Sequence, residues 1–600
     1  MHASLRLNNA SRLPDKLKAV ANSAANGSLD DLEKLIHLIP DSPEFQLRLF
    51  IPAFYANLSL GELQTPHDAD LPDRLARAIL ALDGLSTLQE HLVSKASLDV
   101  WSTAWSWIHF FAECEQHQPG ITATCRIPMY TLFLTTMLVL RKDKDTAAKI
   151  DATPRVRVFF TRGWAAAVEG GQMPAGLVDD LSRFLIQEFS LADPQRLEEV
   201  IEGAGGTVNH LASLMVQHIQ YFVPHKDHTM TNTDGFGLLG IFKILEAVGV
   251  MESPVSDALV SCGIVKTVTT VICALCTGPA TVITPQLIPL NIGVLVASVT
   301  KFPEFHWVKE ALDSGLLRAL VLAASRNMPL LAIPLHYILR EVLPPSLAYH
   351  SVLSSLPAAF DEVMALSNAQ QFITSPFFNE WAQFVRLCGE RLAVMDLYDS
   401  GLLVARRACD NLECPEIRTD DALSRCASCQ NAFYCSKPCQ VADWTAGHRK
   451  LCASPRNNHH KESAHLSGAN RGFLRALLDH DYEAARADIL GAQLRFLRAH
   501  PGHPCFVKFD YAAGRVKWQV GSVTDTRVEF GARTARSGGR VELHVMVVSE
   551  GGARQRGTAF PMRSDSAAVH DRLVALAAGG EAITPAMVEE LMDLEVVRTH

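Results

Sequence analysis

Cys409-Asp-Asn-Leu-Glu-Cys414, Cys426-Ala-Ser-Cys429, Phe433-Tyr-Cys435-Ser-Lys-Pro-Cys439-Gln440 and Asp443-Trp444-Thr-Ala-Gly-His448-Arg-Lys-Leu-Cys452 follow one another within 44 residues and decide how this chain is read. The run holds seven of the fourteen cysteines and a histidine, eight soft ligands in four pairs. Two tetrahedral zinc ions take eight such ligands and leave no position for a reacting water, so the cluster reads as structural metal. The candidate ligands are Cys409, Cys414, Cys426, Cys429, Cys435, Cys439, His448 and Cys452.

The spacing supports chelation pair by pair. Cys426 and Cys429 form a CxxC knuckle. Cys435 with Cys439, and His448 with Cys452, are four apart, which puts both members on one face where the backbone is helical. Cys409 and Cys414 are five apart and need a turn between them. Spacing alone leaves two assignments open: consecutive pairs on each zinc, or alternate pairs. A disulfide knot is the competing reading. The other seven cysteines are scattered through a long chain that needs no staples, which points to a reducing compartment. The first ten residues lack the apolar stretch of a secretory signal. The chain is therefore expected to be intracellular, in cytoplasm or nucleus, and not secreted.

Outward from the cluster the composition changes. Over 600 residues the chain is 48% hydrophobic, enough for several domains. From about residue 30 to 399, apolar residues recur at i, i+3, i+4 and i+7, as in the runs starting at Asp31, Asp73 and Val308. This predicts a mainly α, multi-helical region over 1–400, with stacked helices resembling an armadillo- or HEAT-like solenoid, although no sharp repeat period is present. Residues 267–300 carry no charge and are long enough to cross a bilayer. Pro279, Pro285 and Pro289 with Gly278 interrupt any single helix there, so short buried helices are expected and no membrane span. The finger-like cluster occupies 405–455, and a polar linker is expected at 456–470. A C-terminal α+β domain follows at 471–600: a long helix over 472–499, strand-like runs at Phe506, Gly514, Arg527 and Val541, and helices near 567–578 and 585–592.

Phe433-Tyr-Cys-Ser, Cys439-Gln440, Asp443-Trp444 and His448-Arg-Lys-Leu-Cys452 resemble the MYND-type zinc finger. Three residues separate Trp444 from His448 where the family has two, and four separate Cys409 from Cys414 where two are common. The resemblance implies an interleaved arrangement, with Cys409, Cys414, Cys435 and Cys439 on one zinc and Cys426, Cys429, His448 and Cys452 on the other. It also implies a protein-interaction module that takes short proline-rich peptides, with Gln440 and Trp444 at the family's peptide-contacting positions. The competing role for Trp444 is packing between the two metal lobes. The whole-chain layout resembles that of fungal multi-domain MYND proteins, and a scaffold or adaptor is expected.

Two other function classes stand beside this one. Between Cys409 and Cys452 there are five Lys/Arg and six Asp/Glu. Seven thiolates and two Zn²⁺ bring the module to about −4, which repels a phosphate backbone and disfavours nucleic-acid binding. The chain total of −9 adds no cationic field. The Arg-rich run 527–540 is the remaining candidate for such binding. MYND fingers also occur in SET-type lysine methyltransferases, but residues 453–600 hold no Asn-His-Ser-Cys-like stretch and only Cys505 as a further thiol. No GxSxG, Walker, HExxH or kinase pattern appears, and no catalysis is expected. His225 and His228 are read as loop residues, Cys273 and Cys276 as buried helix thiols, Gly203-Ala-Gly-Gly206 as a helix stop, and His459 and His460 as solvated.

Overall fold

A computed structural model describes residues 1–58, 70–117, 119–171, 173–187, 193–250, 253–403, 406–419, 422–429, 432–452, 466–523, 536–551, 554–579 and 581–600. The chain is mainly α, and it forms two compact units, Met1–Val294 and Leu295–His600. This division falls inside the expected helical region 1–400, and the composition boundaries at 400, 455 and 470 all lie within the second unit. Most of the expected linker and the strand-like run at Arg527, with His459 and His460, lie outside the described residues.

In the first unit several helices begin where side chains take up their free amides. Ser28 Oγ accepts from Asp31 N at 3.3 Å and Asp143 Oδ2 from Thr146 N at 2.9 Å. Most of its described helices pack on others one to three places along the chain. Glu44–Asn57 lies on Leu71–Thr87, Arg126–Leu140 on Val156–Glu169, and Val156–Glu169 on Pro194–Ala204. The core between them is aromatic, with Phe50, Phe54, Trp101, Phe111, Phe133 and Trp164 all 1% exposed or less. The glycine run is a helix stop: Pro194–Ala204 ends at Gly205 with φ +126°, followed by Gly206 at +85°. Gly203 also lets this helix approach Val158, whose carbonyl oxygen occupies the place of a Cβ.

Residues 267–300 fold as parts of two buried helices, Ile264–Thr277 and Thr284–Val299. Threonines of the first helix are satisfied locally; Thr267 and Thr269 donate to Gly263 O and Val265 O at 3.0 and 2.8 Å. No single described helix is long and apolar enough to cross a membrane. Pro254–Ser261 and Ile264–Thr277 reach that composition together, across a 72° bend. Cys273 and Cys276 are buried in the second of these helices. His225 and His228 lie in a connection, where His228 meets Asp234 Oδ2 at 3.1 Å. The run at Val308 is two helices, Glu304–Asp313 and Leu316–Ser325, because Gly315 at φ +96° breaks it.

The second unit joins helices, finger and sheet. Helix Gly468–Ala499 starts at Ser467, whose Oγ accepts from Asn470 N at 3.1 Å. One face takes Ala568–Ala578 and Pro585–Met592 through Leu490, Leu494, Leu573, Leu576 and Leu591. Another meets helix Phe378–Asp399, where buried Arg391 donates to Asp481 Oδ2 at 2.9 Å and stands 5.4 Å over Tyr511. Short strands β1 (Arg406–Ala408), β2 (Ile417–Thr419), β3 (Ser424–Arg425) and β4 (Phe433–Tyr434) make two antiparallel pairs in the finger. Five more form one sheet: β5 (Cys505–Asp510), β6 (Lys517–Ser522), β7 (Val541–Gly551), β8 (Arg554–Ser564) and β9 (Arg598–Thr599). Their order is β6-β5-β7-β8-β9, and only β5 and β7 run parallel. Strand β8 has no clean alternation in sequence, with three arginines, Gly557 and Pro561, and pairing along β7 makes it a strand. β9 pairs only with Arg563 and Ser564, leaving Pro561 on an open edge that needs no donor.

Candidate metal centre

The eight candidate ligands gather into two groups of four: Cys409, Cys414, Cys435 and Cys439, and Cys426, Cys429, His448 and Cys452. Within each group the ligand atoms lie within 4.8 Å of one another. The arrangement is interleaved, which resolves what spacing left open. Two hairpins achieve it. β1 and β2 bring Cys409 and Cys414 to one side, with Cys409 N donating to Glu416 O at 2.9 Å. β3 and β4 turn the Cys426–Cys429 knuckle the other way, with Cys426 N donating to Ala432 O at 2.8 Å.

The distances test the fit to metal. With Zn–S near 2.3 Å and Zn–N near 2.05 Å, a tetrahedron sets S···S at about 3.8 Å and S···N at about 3.6 Å. Cys414 and Cys439 each lie 3.6 Å from Cys435, sulfur to sulfur, and Cys426 lies 3.9 Å from Cys452. Cys429 Sγ is 3.6 Å from His448 Nε2. A disulfide would need sulfurs about 2.05 Å apart, and all seven thiols are free. Both groups therefore fit zinc. Among the described residues no other three Cys, His, Asp or Glu side chains gather in this way.

The ligands are also the core of the module. Cys409, Cys426, Cys429 and Cys452 cluster with Ala432 and Tyr434, and little other apolar surface is buried with them. Burial pushes the Cys409 thiol up and that of Cys414 up to about 11. At Cys426 burial is outweighed by the Cys429 and Ser428 amides and the His448 ring, which bring it down to about 6. The Ser436 hydroxyl lowers Cys439 to about 7. Metal binding at Cys409 and Cys414 therefore displaces protons these thiols hold at neutral pH.

Surrounding groups hold the ligands in place. Asp410 accepts from Phe433 N at 2.8 Å, and its own amide donates to Phe433 O at 2.7 Å, locking the first loop to β4. Buried Asp443 accepts from Tyr434 OH at 2.8 Å and faces His448 Nδ1 at 3.9 Å. This carboxylate faces the ring nitrogen opposite the metal-facing Nε2, within ion-pair reach and beyond direct hydrogen-bond distance. Arg407 and Arg425 stand 4.2 and 5.1 Å from the Phe433 ring, one cation–π pair each. Sequence patterning carried no signal for these arginines.

The helical half departs from expectation at one ligand. Cys435 lies outside the helix Lys437–Asp443, ahead of its Ser436 cap, while Cys439 lies within the first turn. His448 and Cys452 do share a helical turn, since Cys452 N donates to His448 O at 2.7 Å. The extra residue between Trp444 and His448 is absorbed in a π-type turn over Trp444–His448 that is kinked and not continuous helix, since Gly447 leaves the helical region at φ +152°. Trp444 remains 38% exposed, its ring 5.7 Å from that of His448, and Gln440 is half-buried on the preceding turn.

The sheet grips this module through arginines. Arg540 Nη2 donates to Leu412 O at 2.7 Å, and Arg563 Nη2 to Cys414 O and Asn411 O at 3.2 and 3.4 Å. Arg536 Nη1 donates to Ala446 O at 2.6 Å and Thr599 Oγ1 to Arg406 O at 2.6 Å. The finger is thus part of the second unit. No local pattern in the sequence foretells these contacts, which join residues ninety or more positions apart for every arginine.

Against known families, the model of the MYND finger matches residues 409–452. No curated protein and no solved structure gives a significant match to the chain. The matched segment coincides with the first and last ligands of the two clusters, and the chain therefore carries a MYND-type zinc finger at residues 409–452, a zinc-binding module of a class that commonly mediates protein interaction.

Proposed function

We propose that this chain is an intracellular scaffold or adaptor whose finger holds two structural Zn²⁺ and takes a protein partner on the surface around Gln440 and Trp444. The observation that carries the reading is the exposed Trp444 indole on a module whose metal ligands are all committed. Four protein ligands on each metal leave no position for substrate or water, so the finger positions a surface and does no chemistry. A flat aromatic with a half-buried amide beside it suits a short proline-rich segment, preformed and extended, that loses little entropy on docking. The proposal assigns no catalysis to the rest of the chain.

The test compares affinity capture by the intact protein and by Trp444→Ala, both shown by metal analysis to hold two zinc ions. Partners that depend on the indole are lost from the variant under this reading. Identical capture profiles overturn it.

A further inference from the structure

The finger's charge is distributed unevenly. Val441 and Trp444, 54% and 38% exposed, are three apart on helix Lys437–Asp443 and the π-turn that continues it, and so share a face. Exposed Lys437 stands one turn before Val441 on that face, and exposed Arg449 and Lys450 follow the π-turn. Arg536 adds a fourth exposed cation by donating to Ala446 O within the π-turn, its guanidinium lying against Gly447. Among the described residues none of these four forms an ion pair. The one acid in 437–452, Asp443, is turned inward to Tyr434. The finger's described acids lie elsewhere: Asp410 bound to Phe433 N, Glu413 on the first ligand loop, and Glu416 paired with Arg418 at 2.9 Å.

The net negative charge of the module therefore does not describe its apolar surface. We propose that the surface around Val441 and Trp444 takes a protein segment whose apolar, proline-containing centre is flanked by Asp or Glu. The apolar pair receives the centre, and Lys437, one turn before it in the chain, with Arg449, Lys450 and the Ala446-bound Arg536 beyond it, meet the flanking carboxylates. This rests on the proposed function and names the chemistry of its partner. A peptide is favoured over nucleic acid because the thiolate-rich clusters behind the surface repel a continuous phosphate chain, while a few carboxylates reach only the cationic rim.

The experiment uses the full-length, zinc-loaded chain and three fluorescein-labelled peptides with one proline- and leucine-containing core, flanked by Glu, Gln or Lys. Each exposed pair changes affinity by a few-fold, so at low salt the Glu peptide binds about tenfold tighter than the Gln peptide, the Lys peptide binds weakest, and the differences shrink in high salt. A Lys437→Glu/Arg449→Glu/Lys450→Glu variant inverts the order, and Trp444→Ala weakens all three peptides. Equal binding of the Glu and Gln peptides, still sensitive to Trp444→Ala, overturns the acidic class and leaves the proposed function standing. Failure of all three peptides to bind, with capture unchanged by Trp444→Ala, overturns both. Tighter, steeply salt-dependent binding of a single-stranded RNA oligomer to the same face replaces the peptide by nucleic acid.

Discussion

Replacing Arg540 by methionine keeps an unbranched apolar stem and removes the charged guanidinium that donates to the finger. Its Nη2 reaches Leu412 O at 2.7 Å, in the loop that separates Cys409 from Cys414. A hydrogen bond from a charged group contributes roughly 1.5–3 kcal/mol, and the half-exposed position of Arg540 brings this to about 1–2 kcal/mol. On the scale of about 1.4 kcal/mol per decade, local opening of residues 411–414 rises about five- to thirtyfold. The amide of Cys414, which donates to Asn411 O at 2.9 Å, reports that opening directly. Hydrogen exchange measured by mass spectrometry over 406–419 should accelerate in Arg540→Met while exchange in Gly468–Ala499 stays the same. Adding Arg563→Met removes the bonds to Cys414 O and Asn411 O and accelerates it further by about tenfold. Arg540→Lys keeps the charge without the planar fork and falls between. Unchanged exchange over 406–419 in the folded double variant refutes the claim that the sheet arginines hold the finger.

Other perturbations test other parts of the account. Tyr434→Phe strips buried Asp443 of its 2.8 Å hydrogen bond, and the zinc affinity of the His448 cluster, read by chelator competition, should fall about tenfold or more. In the first unit, buried His218 accepts from Trp164 Nε1 at 3.0 Å through Nδ1 and meets Gly237 O at 3.0 Å through Nε2, so both ring nitrogens are engaged in the neutral form. Burial lowers its pKa to about 4, below the unfolded value near 6.5. Stability from this group is therefore present above pH 6.5 and lost as pH falls toward 4, at about 1.4 kcal/mol per unit. Urea unfolding of a His218→Gln variant should show a shallower loss across that window, and a slope equal to the parent's removes His218 as the cause. Arg391→Met leaves buried Asp481 with the exposed His480 ring, 3.1 Å away, in place of the guanidinium, and should destabilise the second unit by about 3 kcal/mol, measured as the urea midpoint. An Arg391→Met/Asp481→Leu pair should recover most of that loss.

The parts legible in the sequence are those fixed by local chemistry. Ligand identity was readable because paired thiols at chelating spacing in a chain otherwise sparing of cysteine have few other uses. The helix Pro585–Met592 and the stop at Gly205 were readable from Pro at a first turn and glycines beyond a last turn. The split at Gly315 was not, because Leu316-Leu-Arg-Ala-Leu carries the apolar pattern straight on past the glycine, which takes φ +96°. Strand β8 was hidden because its neighbour β7, not its own alternation, supplies the pairing. The extra residue after Trp444 was visible as a spacing, but its accommodation as a π-turn was not. Farthest from the sequence were Arg536, Arg540 and Arg563, which act on backbone carbonyls and so leave no complementary side chain to be recognised.

Zinc counting by native mass spectrometry tests the central claim most directly, because it asks how many metals the finger holds and which ligands share one. The parent chain should carry two zinc ions. A Cys409→Ser/Cys435→Ser chain, with both changes in one cluster, should keep one, and a Cys409→Ser/Cys426→Ser chain, with one change in each, should keep none. Fewer than two zinc ions on the parent, or the reverse order of the two variants, contradicts the interleaved two-metal finger.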